Sequence, residues 1–192
     1  SGSTATINSA VDDQYYGGIN KTGTGNLVLG GSNTFQAPVT VSAGTLTLSS
    51  NLALGATGTY GNTVASGASL ALQGGIADAE ANVGLSGTGV GSGGALRNIS
   101  GNNSFSGSVT FNNDAMIASD SGTLTLSGDF SASKNATFAG AGNIALTGGG
   151  YGAGNLTQSG TGTLTFSGST STSLSGDLNI NSGTVALAKS GG

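Results

Sequence analysis

The chain has 192 residues, 38 of them glycine and one proline, with four basic side chains against eight acidic ones and a net charge of −4. It holds no Cys, no His and no Trp, which excludes disulfides, Cys or His zinc sites, and any Cys–His or Ser–His–Asp nucleophile. Four cations in the whole chain are too few for the basic stripe that a nucleic-acid backbone requires, and nothing favours an anionic membrane. Only 6% of residues are charged, yet mean hydropathy lies near zero, so the chain lacks the high net charge that keeps disordered segments unfolded. No apolar run approaches the length of a membrane-spanning helix. The opening SGSTATINSA has neither the charged nor the apolar region of a secretion signal, so if the protein is exported, its signal has been removed or lies outside this segment.

Along the chain, SAVDDQYYGG at 9–18 comes first. Ser9 and Asp12 have capping-box spacing, but a corner excursion on the first coil is expected instead. Apolar dyads then follow one another: Val39/Val41, Leu46/Leu48 within AGTLTLSS, Leu70/Leu72, Val83/Leu85, Val109/Phe111, Leu124/Leu126, Ala136/Phe138, Ile144/Leu146, Leu164/Phe166 and Leu178/Ile180. Each alternates with small or polar residues, the period of a strand buried on one face. Helix is disfavoured because each glycine costs about 1 kcal/mol against alanine there. GVGSGG at 89–94 matches G-x-G-x-x-G through Gly89, Gly91 and Gly94, but no helix follows to present its N-terminus to a phosphate, so a loop or corner is expected.

Repetition decides the topology. SDSGTLTLSG (119–128), AGAGNIALTG (139–148) and SGTGTLTFSG (159–168) place Leu124, Ile144 and Leu164 in register, with Gly122, Gly142 and Gly162 aligned before them. GTVALA at 183–188 is a looser copy, one residue late. An antiparallel sandwich gives no reason for a fixed offset of 20 residues, whereas a parallel β-solenoid stacks equivalent positions about 4.8 Å apart. We therefore expect an all-β single solenoid over residues 1–192, with about 20 residues per coil, roughly nine or ten coils and a rod about 45 Å long. A lone coil cannot repay its conformational entropy, so stability must come from ladders between neighbours. Asp114 and Lys134 are expected to face each other on adjacent coils as an exposed ion pair.

KTGTGNLVLGGSNTFQAPVTVSAGTLTLSS at 21–50 closely resembles the autotransporter-associated β-strand repeat, also called the passenger-associated transport repeat. ALRNISGNNSFSGSVTFNNDAMIASDSGTLTLSG at 95–128 shares its elements, Asn103, Phe105, Val109 and Thr110 matching Asn33, Phe35, Val39 and Thr40. QSGTGTLTFSGSTSTSLSGDLNINSGTVALAKSG at 158–191 is a third unit without the Asn-Thr-Phe element. The resemblance implies a right-handed parallel β-helix in an exported bacterial surface protein, with a role in secretion or in holding a stalk from the cell.

Polysaccharide-active β-helices work with clustered acids and cations, and glycosidases with two carboxylates. The close acid pairs here are Asp12/Asp13 and Asp78/Glu80, and no cation is expected to stack beside them; solvated corner acids are the reading adopted. No catalytic, cofactor-binding or metal-ligating residue is assigned, and the repeating Asp of calcium-binding β-rolls is missing. Three functions remain: an extracellular structural or adhesive solenoid, a carbohydrate-active enzyme, and a filament subunit that self-associates through open coil ends. Neither SGSTATINS nor VALAKSGG holds an evident cap, and unpaired solenoid edges template further strands.

Overall fold

The computed structural model describes residues 2–12, 17–55, 61–78, 82–150, 152, 154–169 and 176–190. The chain winds as an all-β parallel solenoid of about eight turns with about 21 residues per turn. The turns are longer and fewer than the expected nine or ten of 20 residues because insertions at corners lengthen some of them. Hydrogen bonds linking stacked positions of adjacent turns span 20 residues at Asn33–Ala53 but 27 at Ile76–Asn103. At about 4.8 Å per turn, the rod is close to 40 Å long.

Each full turn visits three faces. The first carries β2 (Ile19–Lys21), β4 (Val39–Val41), β6 (Asn62–Val64), β9 (Val83–Gly87), the first half of β12 (Val109–Ser119) and β14 (Phe130–Ser131). On the second lie β1 (Thr4–Ile7), β3 (Asn26–Leu29), β5 (Gly44–Leu48), β7 (Ala68–Gln73), β10 (Leu96–Ser100), the second half of β12, β15 (Ala136–Ala139), β17 (Leu156–Gln158) and β19 (Leu178–Ile180). The third holds β8 (Ala77–Asp78), β11 (Asn103–Phe105), β13 (Thr123–Leu126), β16 (Asn143–Leu146), β18 (Thr163–Gly168) and β20 (Thr184–Lys189). β12 bends from the first face onto the second, with a register shift between Phe111 and Ala115, and so joins those faces into one sheet.

In-register stacking converts the dyads into core columns. Leu27, Leu46, Leu70, Leu96, Ile117 and Phe138 lie directly above one another on the second face. On the third, Phe105, Leu126, Leu146, Phe166 and Leu187 do the same, and Leu124, Ile144 and Leu164 stack beside them. The alternating burial of TLTL, NIAL and TLTFSG follows from the strand period, since every second side chain points inward. Phe130 packs between two other rings, edge-on to Phe111 at 5.2 Å and tilted against Phe138 at 5.8 Å.

The glycines before the third-face strands are required by the stacking itself. A Cβ on Gly162 would press into the Gly142 carbonyl, and one on Gly122 into the Gly101 carbonyl. Gly122 also has φ +72, which glycine adopts without a Cβ penalty. GVGSGG forms the expected corner between β9 and β10, with one short 3-10 turn at Val90–Ser92. Ser69 Oγ clips this corner by accepting from Val90 N at 2.9 Å and donating to the Gly94 carbonyl at 2.8 Å. Of SAVDDQYYGG, residues 13–16 lie outside the described residues.

Candidate functional site

Of the two acid pairs, Asp78 and Asp12 fall among the described residues. Asp78 is 1% exposed and stacks directly beneath Phe105 on the inner side of β8, so its carboxylate belongs to the interior and not to a groove. Glu80 and Asp13 lie outside the described residues. Asp12 accepts a hydrogen bond from Thr34 Oγ1 on the next turn. No group of three or more His, Cys, Asp or Glu that could hold a metal ion occurs among the described residues. Among the described residues no helix is long and apolar enough to cross a membrane.

The expected Asp114–Lys134 ion pair is replaced by a different contact. Asp114 does sit one turn below this stretch, but its carboxylate accepts from Asn135, at 3.0 Å from the backbone N and 3.0 Å from Nδ2. These two bonds, the backbone one first, hold its pKa below the ordinary 3.8, and the charge of Lys134 adds a smaller pull in the same direction. The backbone donor wins because it is already positioned by the ladder, whereas the lysine would have to order a long side chain. An ion pair joins Arg97 to Asp120 at 2.6 Å, also across adjacent turns.

This contact has a pH consequence. A carboxylate whose folded pKa is depressed stabilises the fold above its unfolded value, and the gain is lost as pH falls from about 3.8 through the lower folded value. Urea midpoints taken above and below that window should therefore converge for wild type and Asp114→Asn at the acid end. Above pH 3.8 the wild type should be the more stable.

Asp114 also starts a column. Asn135 Oδ1 accepts from Asn155 N at 3.1 Å, and Asn155 Oδ1 accepts from Asp177 N at 2.9 Å. Each corner side chain thus receives the backbone N–H of the equivalent residue one turn on. The Asp177 carboxylate, at the last position, receives no hydrogen bond from the described residues.

A second set of polar side chains points inward and seals corners. Lys21 is 7% exposed, and its three ammonium protons meet three carbonyls: Thr22 O at 3.0 Å, Gly23 O at 2.8 Å and Ala43 O at 3.0 Å. Gln158 Nε2 likewise donates to Gly160 O and Gly162 O, both at 3.0 Å. Asn98 Nδ2 reaches Gly101 O at 3.1 Å and Ser121 O at 2.8 Å. Tight corners turn carbonyls toward the interior, where each needs a donor. Burial lowers the Lys21 pKa from its ordinary 10.5 by removing water from the ammonium.

Lys21 and Gln158 open KTGTGNLVL and QSGTGTLTF, so they are the same position in two copies of one motif. The first copy turns from the first face to the second, between β2 and β3; the other turns from the second face to the third, between β17 and β18. The corner therefore works on more than one edge of the prism. Sequence reasoning did not assign this role, although the shared place of two long donors before Thr-Gly or Ser-Gly was the available signal. Replacing Lys21 with Met keeps the stem and removes all three donors. It should cost about 1–3 kcal/mol, because stranded carbonyls outweigh the relief of burying no charge. Hydrogen exchange should show faster opening of β2–β4 with little change at β18–β20.

The end turns expose core positions. Ile180 is 55% exposed and Leu187 71%, although each continues a column that is buried one turn earlier. Ile7, Val11 and Ile19 at the other end are only partly buried against the core.

The passenger-associated-transport-repeat family model matches residues 19–48 and 156–187. No curated protein and no solved structure matches the chain. The first matched stretch covers β2 to β5 and the second β17 to β20. Both contain a sealed Lys21- or Gln158-type corner followed by paired strands, and each of these two stretches matches the passenger-associated transport repeat.

Proposed function

We propose that the chain is an extracellular structural segment of a bacterial surface protein, a passenger or stalk that acts through length and rigidity. The observation that supports this most is the placement of the two repeat matches, which fall on coils near opposite ends of one continuous parallel ladder. A rod built this way gains reach in proportion to its turns, about 4.8 Å each, without needing a closed core. Its surface offers uncharged Ser, Thr and Asn rows, with acids at corners such as Asp12, Asp114 and Asp120 engaged by neighbouring turns.

The reading is tested on intact cells that express the chain with its natural flanking regions. An antibody against an epitope inserted at Gly61, where a Cβ meets nothing within 4 Å, should label unpermeabilised cells. External protease should remove that label. Labelling that appears only after permeabilisation would overturn the reading.

A further inference from the structure

We propose that the corner opened by Gln158 is a binding site for a monovalent cation of ammonium size, potassium or ammonium itself, held by the Gln158 amide oxygen and backbone carbonyls. The sister corner at Lys21 fills the same place with a cation from its own chain.

The two corners match bond for bond. Ser42 N and Ala43 N donate to Lys21 O at 2.9 and 3.3 Å, as Asn181 N and Ser182 N donate to Gln158 O at 2.8 and 3.3 Å. Thr45 N donates to Gly25 O at 3.1 Å, as Thr184 N donates to Gly162 O at 3.2 Å. Gly44 and Gly183, both with φ +66, close the corners from the next turn. A Cβ on Gly44 would strike Gly23 O, Gly25 O and the Lys21 ammonium; one on Gly183 would strike Gly160 O, Gly162 O and the Gln158 amide nitrogen. Both are the same cradle of carbonyls, and the Gln158 copy lies inside the ladder, with β17 paired on both sides.

What fills the cradle differs. The Lys21 ammonium has three protons for Thr22 O, Gly23 O and Ala43 O. The Gln158 amide nitrogen has two, and they go to Gly160 O and Gly162 O. None is left for Ser159 O and Ser182 O, the counterparts of Thr22 O and Ala43 O. The amide oxygen adds a third acceptor: Gln158 is 3% exposed, and its Oε1 is buried with no hydrogen-bond partner among the described residues. Phe138 and Ile180, which flank Gln158 in its column, have no side-chain donor to offer it.

Every one of these leftover groups is an acceptor, which favours a cation over water. A water brings lone pairs as well as protons and seeks donors that this corner lacks. The oxygens are neutral, so they suit a single charge, the one that Lys21 places in the sister cradle. Contacts to that ammonium lie between 2.8 and 3.0 Å, longer than the about 2.3–2.6 Å of calcium. Backbone carbonyls standing in for a hydration shell are also how potassium is held in channel filters.

The test is residue-resolved hydrogen exchange on the whole chain in potassium chloride, with choline chloride at the same ionic strength as reference. At ten times the potassium dissociation constant, the amides of Asn181, Ser182 and Thr184 should exchange about 11-fold more slowly, while those of Ser42, Ala43 and Thr45 stay unchanged. Ammonium chloride should act in the same way. Gln158→Lys should be protected without potassium and indifferent to it. Lys21→Gln should make the Ser42, Ala43 and Thr45 amides potassium-dependent. Each of these variants installs a side chain that the sister corner already accommodates. Equal exchange in potassium and choline would mean that no cation binds, and would overturn the proposal. So would slowing spread evenly along the chain, or a potassium response that survives in Gln158→Lys.

Discussion

Phe130→Ala should lower stability by about 3–5 kcal/mol, the usual cost of removing a fully buried ring from a core that cannot collapse around the space. The ring is 2% exposed and lies between Phe111 and Phe138, at 5.2 and 5.8 Å. Those neighbours are held by parallel ladders to the turns before and after, so they cannot move into the gap without breaking register. Because a solenoid is a one-dimensional array, the loss should be concentrated where the ring sits. Hydrogen exchange should report faster opening of β12, β14 and β15, with β1 to β4 close to wild type. Uniform acceleration along the whole chain would mean that the turns unfold as one unit.

Gly162→Ala is the second large effect, for a different reason. The added methyl meets the Gly142 carbonyl of the turn below, well inside van der Waals contact, and that atom is backbone and cannot rotate away. Gly162 N also donates to Gly140 O at 3.3 Å, and its own carbonyl accepts from Gln158 and Thr184. Displacing the corner therefore disturbs both the inward seal and the step to the next turn. A loss of about 2–3 kcal/mol is expected, the upper range for overpacking. Gly61→Ala is the matched control, since its Cβ would meet nothing within 4 Å. Reducing the unfolded chain's freedom there should leave stability unchanged or slightly raised. Equal midpoints for the two variants in urea would show that the corner yields more easily than its backbone contacts suggest.

The strands and their stacking were legible because one residue type at one period carries them. Leu124, Ile144 and Leu164 recur at a constant spacing, and they pair in that register. Alternation within each dyad named the buried side, as at Val39 and Val41 or Ala136 and Phe138. The number of turns was less legible. Corner insertions such as the one around Val90–Ser92 add residues without adding a strand, so dividing the chain length by the shortest period overcounts.

The polar contacts were the least legible. Asp114 and Lys134 have the right separation for a pair, but spacing carries no information on which donor is already held in place, and the Asn135 backbone is. Asp78 reads as a corner acid until its strand is placed under Phe105, which turns it inward. For Lys21 and Gln158, the partners are carbonyls of the corner that directly follows and, for Lys21, Ala43 one coil later. A carbonyl is the same in every residue and leaves no mark on the sequence.

By itself the sequence determined a parallel stack: period-2 burial makes the strands, and a recurrent spacing near 20 residues lays like residues on like, a pattern only in-register coils repay. The tertiary structure alone decided how the corners are closed and which face each repeat copy occupies. Those outcomes depend on where backbone N–H and C=O groups from different turns converge in space, and backbone groups have no letter in the sequence.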